Sequence, residues 1–311
     1  MERTESPLVV ILIVNWNGLD DTLECLASLR KIHYEHYRIV LVDNGSSGND
    51  VTVLKGLSDE LVEIIENDKN LGYARGVNVG IKYVEAKYSP DYFLLLNNDT
   101  VVDPDFLNQL VDAVELSDVI GIVGPKVYFY DSPGEIQGIG AKINMFTGDP
   151  SYIGFKKMDV GQYENVLEMD WVGPCELVKA DVFKKIGYFD ENYFAYWEDV
   201  DFCLRAKTAG FKICYIPGAK VWHKLGGSSR GASDSVYYYM ARNRIWFMKK
   251  NASKFKYLCF MAYLCILQVW ILTLRLLLTR KMGRLKAFWQ GISDGFSGKN
   301  KLSQYGISLQ T

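Results

Sequence analysis

The chain has 311 residues, 49% hydrophobic and 23% charged, which supports one substantial core, with or without an appendage, and excludes a disordered or fibrous protein. A formal net charge of −2 hides an asymmetry: residues 1–234 carry 22 Lys/Arg against 36 Asp/Glu, whereas residues 235–311 carry 13 against 1. An acidic body with a basic tail points to an anionic partner for the tail, either membrane lipid or nucleic acid.

The first seven residues carry no cationic leader, and the apolar run Leu8–Val14 passes straight into Asn15-Trp16-Asn17. It reads as a strand covered on both faces, not as a signal peptide. Asp20–Arg30 places Leu23, Leu26 and Leu29 at helical spacing behind acidic first-turn residues. Arg38–Val42 is a second strand, closed by the turn-forming Asp43-Asn44-Gly45-Ser46-Ser47. A weaker strand at Glu63–Ile65, a helix over Leu71–Ala86 and a strand at Tyr92–Leu96 follow. Pro104 opens a helix that runs to about Leu116. This alternation predicts an α/β fold with a mostly parallel central sheet flanked by helices.

From Tyr128 to Asp170 the pattern changes to short glycine-punctuated segments, read as hairpins or as a substrate-side insertion. Helices are predicted over Ala180–Ile186 and Asp199–Thr208, and a strand over Phe211–Ile216. Tyr257–Leu274 then runs for 18 residues without a charge, with Lys249, Lys250, Lys254 and Lys256 before it and Arg275, Arg280, Lys281, Arg284 and Lys286 after. Eighteen apolar residues are marginal for a crossing, and positive charge on both sides favours neither orientation. A hairpin or interfacial helix on an anionic leaflet fits better, with a buried helix or a dimer interface as the bland reading. Nucleic acid is the weaker partner, because it leaves the apolar run unexplained. The six cysteines form no C-x-x-C pair and read as reduced, buried thiols.

In an open α/β sheet, ligands bind outside the carboxyl ends of the strands. Three polar groups fall at such ends: Asn15-Trp16-Asn17-Gly18, Asp43-Asn44-Gly45 and Asn97-Asn98-Asp99. Asp43 suits a ribose hydroxyl or a base N–H, and equally a turn or helix cap. Asp99 suits a hard divalent cation, Mg²⁺ or Mn²⁺, that bridges two phosphates. Gly72, Gly76 and Gly80 lie four apart, the spacing of close helix packing, and Arg75 among them suits a phosphate. Neither G-x-G-x-x-G after the first strand nor G-x-x-x-x-G-K-[ST] is present, which argues against a dehydrogenase and a P-loop enzyme. Glu198, Asp199 and Asp201 open a helix beside Tyr193, Phe194, Tyr196 and Trp197. A carboxylate among aromatics makes a general base, and acidic residues at a helix start also act as caps. By spacing, Glu198 and Asp201 share a face and Asp199 projects elsewhere. His223, one of three histidines, is a metal candidate, although a lone histidine is more often structural.

In order, Val9 to Gly18, Val42-Asp43-Asn44-Gly45-Ser46, Asn70 to Asn78, Leu96-Asn97-Asn98-Asp99, Gly187 to Glu191 and Glu198-Asp199-Val200-Asp201 resemble the family 2 inverting glycosyltransferases of GT-A fold, in particular a rhamnosyltransferase-like branch. The resemblance covers roughly residues 7–250. It implies a transferase unit at 1–250, with a nucleotide-binding half over 1–125 and an acceptor-binding half over 126–250, followed by a membrane-associating tail at 251–311. It also implies a nucleotide-diphospho-sugar donor, with rhamnose on dTDP as the favoured guess, and a glycan or lipid-linked acceptor at the cytoplasmic membrane face. Asn15, Asn17, Asp43, Arg75, Asn98 and Asp99 would then meet the donor, Asp99 and His223 the metal, and Trp197 and Glu198 the acceptor, with Asp199 as the base. Asn97 and Asn98 stand where the family often has acidic residues. Homo-oligomerisation is compatible with this reading. The competing classes are a sugar-phosphate nucleotidyltransferase, disfavoured by the missing phosphate loop, and a membrane-tethered carbohydrate-binding protein.

Overall fold

Short β-branched runs set the centre of the fold. In the computed structural model, which describes residues 6–224 and 234–299, the chain begins β1 (Val9–Asn15), α1 (Leu19–Leu29), β2 (Tyr37–Asp43), α2 (Asp50–Lys55), β3 (Val62–Glu66), α3 (Tyr73–Lys87) and β4 (Tyr92–Asn97). β1 lies between β2 and β4, and all of these contacts are parallel. Val9, Val10, Ile11, Leu12 and Ile13 are buried on both faces, each worth roughly 1.5–3 kcal/mol of transfer free energy. Parallel register brings Asn15 level with Asp43, and Val14 level with Asn97, so three polar strand ends meet at one edge.

The glycine spacing on α3 is a packing device, as its spacing predicts. A Cβ at Gly80 would lie 2.3 Å from Leu12 Cδ1, and one at Gly76 would lie 3.1 Å from Val14 Cγ1, so α3 settles directly on the sheet.

β5 (Thr100–Val102) and α4 (Phe106–Glu115) follow, with Pro104 in the turn ahead of the helix. β6 (Ile120–Phe129) and β7 (Ser132–Gly138) extend the sheet; β8 (Ala141–Asn144) and β9 (Asp149–Tyr152) form a separate hairpin. The glycine-rich stretch thus contains hairpins, at β6–β7 and β8–β9, while β10 (Lys157–Met158) adds to β7 and β11 (Leu167–Glu168) pairs with a later strand. β12 (Cys175–Lys179) inserts antiparallel between β4 and β6, a strand that sequence reasoning missed because it is short and runs straight into α5 (Ala180–Ile186). Then come α6 (Glu198–Thr208) and β13 (Lys212–His223), which is longer than predicted and carries His223 at its end.

Four further helices close the described chain: α7 (Asp234–Asn251), α8 (Lys254–Tyr263), α9 (Val269–Leu278), joined to α8 by a π-helical turn at Leu264–Gln268, and α10 (Met282–Ser297). Together Lys254–Leu278 form one 25-residue helix, long and apolar enough to cross a membrane, with an apolar window of mean hydropathy 2.0 of which 17% is buried. Phe255, Leu258, Ile266, Trp270, Ile271, Leu274 and Leu278 stand exposed along it. Four of the six cysteines are buried; Cys265, on this helix, is exposed, contrary to the expectation for all six.

Candidate active site

The strand-end residues divide into two groups. Asp43 is fully buried, and its oxygens accept from Asn15 Nδ2 (2.8 Å) and the Ser46 backbone N–H (2.9 Å). Asn15 Oδ1 in turn accepts from Thr22 Oγ1 at 2.9 Å, and Asn98 Nδ2 donates to that hydroxyl at 2.9 Å. Asn17, at φ 51°, accepts from the Ser47 N–H at 2.7 Å. These bonds tie the loops after β1, β2 and β4 together.

Beyond them opens a cavity of about 750 Å³. Asn98, Asp99, Trp197, Glu198, Asp199 and His223 line it, whereas Asn15, Asn17, Asp43 and Arg75 do not. Arg75 is half-exposed on α3 and pairs with Glu191 at 3.3 Å.

His223 reaches Asp99 because β13 pairs with β5, placing His223 level with Thr100. Its Nε2 lies 3.0 Å from Asp99 Oδ1, and its Nδ1 lies 2.6 Å from Gln137 Oε1. The Gln137 bond at Nδ1 fixes the ring so that Nε2 faces a carboxylate oxygen. Two atoms so placed can share a cation. Two ligands at ~2.1 Å from one ion and at right angles to each other are ~3.0 Å apart, so the residues fit a divalent metal with its remaining positions open to phosphate oxygens.

The carboxyl side of the cavity rests on a strained turn. Tyr196 and Trp197 sit at φ 69° and 76°, in the left-handed region that non-glycine residues rarely occupy. Asn243 of α7 holds them there, its Nδ2 donating to the carbonyls of Ala195 and Tyr196, both at 2.8 Å. From the other side Tyr73 N–H donates to Phe194 O at 2.7 Å. Only glycine fits at position 72, where φ is +84° and a Cβ would come within 2.5 Å of Phe194 O.

This turn corrects the facing expected from helical spacing. Glu198 and Asp199 both line the cavity, while Asp201 is fully buried away from it, bonded to Arg205 (2.9 Å), Lys250 (2.9 Å) and Asn251 (3.0 Å). Asp201 is thus structural; the left-handed entry to α6, not the helix period, decides which carboxylates face inward.

Asp199 Oδ2 accepts from Trp171 Nε1 and Oδ1 from the Val200 N–H, each at 2.7 Å. Burial raises its pKa above the ordinary carboxylate range, and these two N–H groups limit the rise. Glu198 is raised well above that range by burial and then by the Asp199 charge, and its Oε2 is buried with no hydrogen-bond partner among the described residues. Glu176 of β12 also lines the cavity, likewise pushed well up by burial and by Asp199. Sequence reasoning missed Glu176 and the Trp171 bond; a lone carboxylate inside the apolar strand Cys175–Lys179 was the available signal for Glu176.

A parallel sheet whose strand ends face a carboxylate-lined cavity is the GT-A arrangement, and solved structures agree on the fold. A mannosyltransferase from Pyrobaculum calidifontis, in complex with GDP-Man and Mn²⁺, superposes with a TM-score of 0.59 at 14% identity, covering 95% of this chain and 77% of that one. GalNAc-T7, with UDP, GalNAc and Mn²⁺, does so with 0.57 at 14% identity, over 70% of this chain and 43% of its own. The chain belongs to glycosyl transferase family 2, whose sequence profile matches residues 10–187, and it is a glycosyltransferase. It is similar to the rhamnosyltransferase WbbL of Escherichia coli K12, 26% identical across 76% of this chain and 94% of that protein. It is also similar to the dTDP-rhamnosyl transferase RfbF of Shigella flexneri, 24% identical across 78% and 80%.

Proposed function

We propose that this glycosyltransferase moves a sugar, rhamnose on dTDP as the first candidate, to an acceptor hydroxyl in cell-surface glycan or glycolipid synthesis, with inversion at the anomeric carbon. The observation that carries it is the meeting of the Asp99–His223 pair and the Asp199 carboxylate in one cavity. Asp199 takes the proton from the acceptor hydroxyl, whose oxygen attacks the anomeric carbon as the bond to the diphosphate breaks. Its raised pKa suits that role, and Trp171 fixes the carboxylate's direction. Asp99 and His223 would hold a Mg²⁺ or Mn²⁺ ion, which supplies charge neutralisation to the departing nucleoside diphosphate. Trp197 and Glu198 belong to the acceptor side, and Asn98 to the donor side. Asn15, Asn17 and Asp43 support the donor loops from behind; with Arg75 they lie outside the cavity wall. The names of the relatives support rhamnose and dTDP for the donor.

On this reading residues 1–250 form the transferase, and 251–311 seat it on the cytoplasmic leaflet. The exposed apolar face of Lys254–Leu278, with lysine and arginine at both ends, suits an anionic surface and a lipid-linked acceptor.

Thermal unfolding with dTDP, UDP and GDP, each with and without Mn²⁺, tests the donor site. A ligand at a hundred times its Kd adds about 2.7 kcal/mol. Stabilisation by dTDP that needs Mn²⁺ is the expected result; stabilisation by none of the three contradicts the reading.

A further inference from the structure

The carboxyl that the catalytic scheme leaves unused is Glu176. Its strand, β12, runs beside β4, and Glu176 is level with Leu95, close behind the loop that carries Asp99. The side chain is 3% exposed, yet it lines the cavity. It accepts a weak hydrogen bond from Cys203 Sγ to Oε1 at 3.4 Å. No cation pairs with it among the described residues. The titratable groups that face it are Cys175 on its own strand, Cys203 and Asp199 on α6, Glu198 at the start of α6, and Tyr73 on α3, all acidic or neutral.

We infer that Glu176 is the sugar-recognition residue of the cavity floor, donating its carboxylic O–H to a hydroxyl of the transferred sugar. The inference rests on the donor reading given above. Two neighbouring carboxyls are placed in contrasting surroundings. Asp199 is served by two N–H donors, which favour its charged form. Glu176 has neither a cation nor an N–H donor among the described residues, and burial with the adjacent Asp199 charge keeps its proton on. A protonated carboxyl is a donor as well as an acceptor. Its position explains what it would meet: the anomeric carbon must lie between the diphosphate site at Asp99 and the base Asp199, and Glu176 faces Asp199 in the cavity that all three line. A donor of this kind discriminates strongly between sugars that do and do not present a hydroxyl, because a mismatch leaves a buried polar group unpaired.

Calorimetric titration of the full chain in Mn²⁺-containing buffer with dTDP and with dTDP-rhamnose, for wild type, Glu176→Leu and Glu176→Gln, tests this. Glu176→Leu should raise the Kd for dTDP-rhamnose about tenfold while leaving that for dTDP within about twofold. Glu176→Gln, which still donates, should keep both within about threefold. As pH rises, wild type should lose affinity for dTDP-rhamnose as the Glu176 proton leaves, and Glu176→Gln should not. Equal weakening of both ligands by Glu176→Leu, no weakening of either, or the same pH profile for wild type and Glu176→Gln would overturn the inference. A wild type that binds neither probe overturns the donor reading itself.

Discussion

Two polar clusters border the same edge of the sheet and are treated in opposite ways. Around Asp43, the Asn15 amide and the Ser46 N–H meet the carboxylate, Thr22 closes the remaining side of Asn15, and Asp43 has no exposure to solvent or cavity. Around Asp199, Glu198 has an oxygen without a partner among the described residues, Glu176 has a thiol for company, and the supporting turn is held at positive φ. Buried polar groups are normally satisfied, so the first cluster behaves as scaffold and the second as a place prepared for something else to bind. The contrast assigns stability to the Asn15–Asp43 pair and chemistry to the α6 carboxyls.

Substitutions can break that division. The largest expected stability loss is at the scaffold: Asp43→Ala takes the acceptor from the Ser46 N–H, leaves the Asn15 amide only the longer bonds to Ser46 Oγ (3.1 Å) and Asp50 Oδ2 (3.4 Å), and should cost about 2–3 kcal/mol in urea unfolding. A loss below about 0.5 kcal/mol, with nucleotide binding abolished, would move Asp43 to the ligand-binding group. Asn243→Ala removes both bonds to the strained turn and should cost about 1–2 kcal/mol, with transfer slowed about tenfold or more as Trp197 and Glu198 relax. Unchanged kcat in that variant would show that the turn keeps its shape unaided.

The smallest effect is a pH dependence. The folded state holds the Glu198 proton above the pH at which the unfolded chain releases it, so it binds more protons in that window. Stability therefore falls as pH rises from the ordinary carboxylate range upward. Glu198→Gln should unfold less readily than wild type above that range, by about 1 kcal/mol, and should flatten the decline, with Glu176 and Asp199 keeping part of it. Parallel stability–pH curves for the two proteins would show that Glu198 is ionised in the folded state.

Much of this was legible in the residues. Apolar runs ending in Asn15, Asp43 and Asn97 sufficed for the parallel sheet, because strands buried on both faces leave no other reading, and the Asn-Asp and Glu-Asp pairs marked the cavity. Burial of Asp43 was not legible: the same turn sequence serves a ligand or a cap, and only the register with Asn15 separates them. Nor was the inward turn of Glu198 and Asp199, since helical periodicity cannot foresee two non-glycine residues at positive φ. Glu176 escaped because a five-residue strand gives too short a pattern for one carboxylate to stand out. The bonds from Asn243, Lys250 and Asn251 link residues some 50 positions apart, which no local pattern records.

The central claim is that Asp199 is the base. The direct measurement is transfer by wild type and Asp199→Asn from dTDP-rhamnose, or from whichever nucleotide sugar the unfolding experiment selects, with Mn²⁺-dependent nucleotide binding measured on the same samples. Removing a general base costs about 10²–10⁴ in rate. Asp199→Asn keeps the shape and the Trp171 bond, so transfer should fall by about a thousandfold while nucleotide Kd stays within about threefold. Transfer near the wild-type rate in a variant that binds nucleotide normally would contradict the assignment.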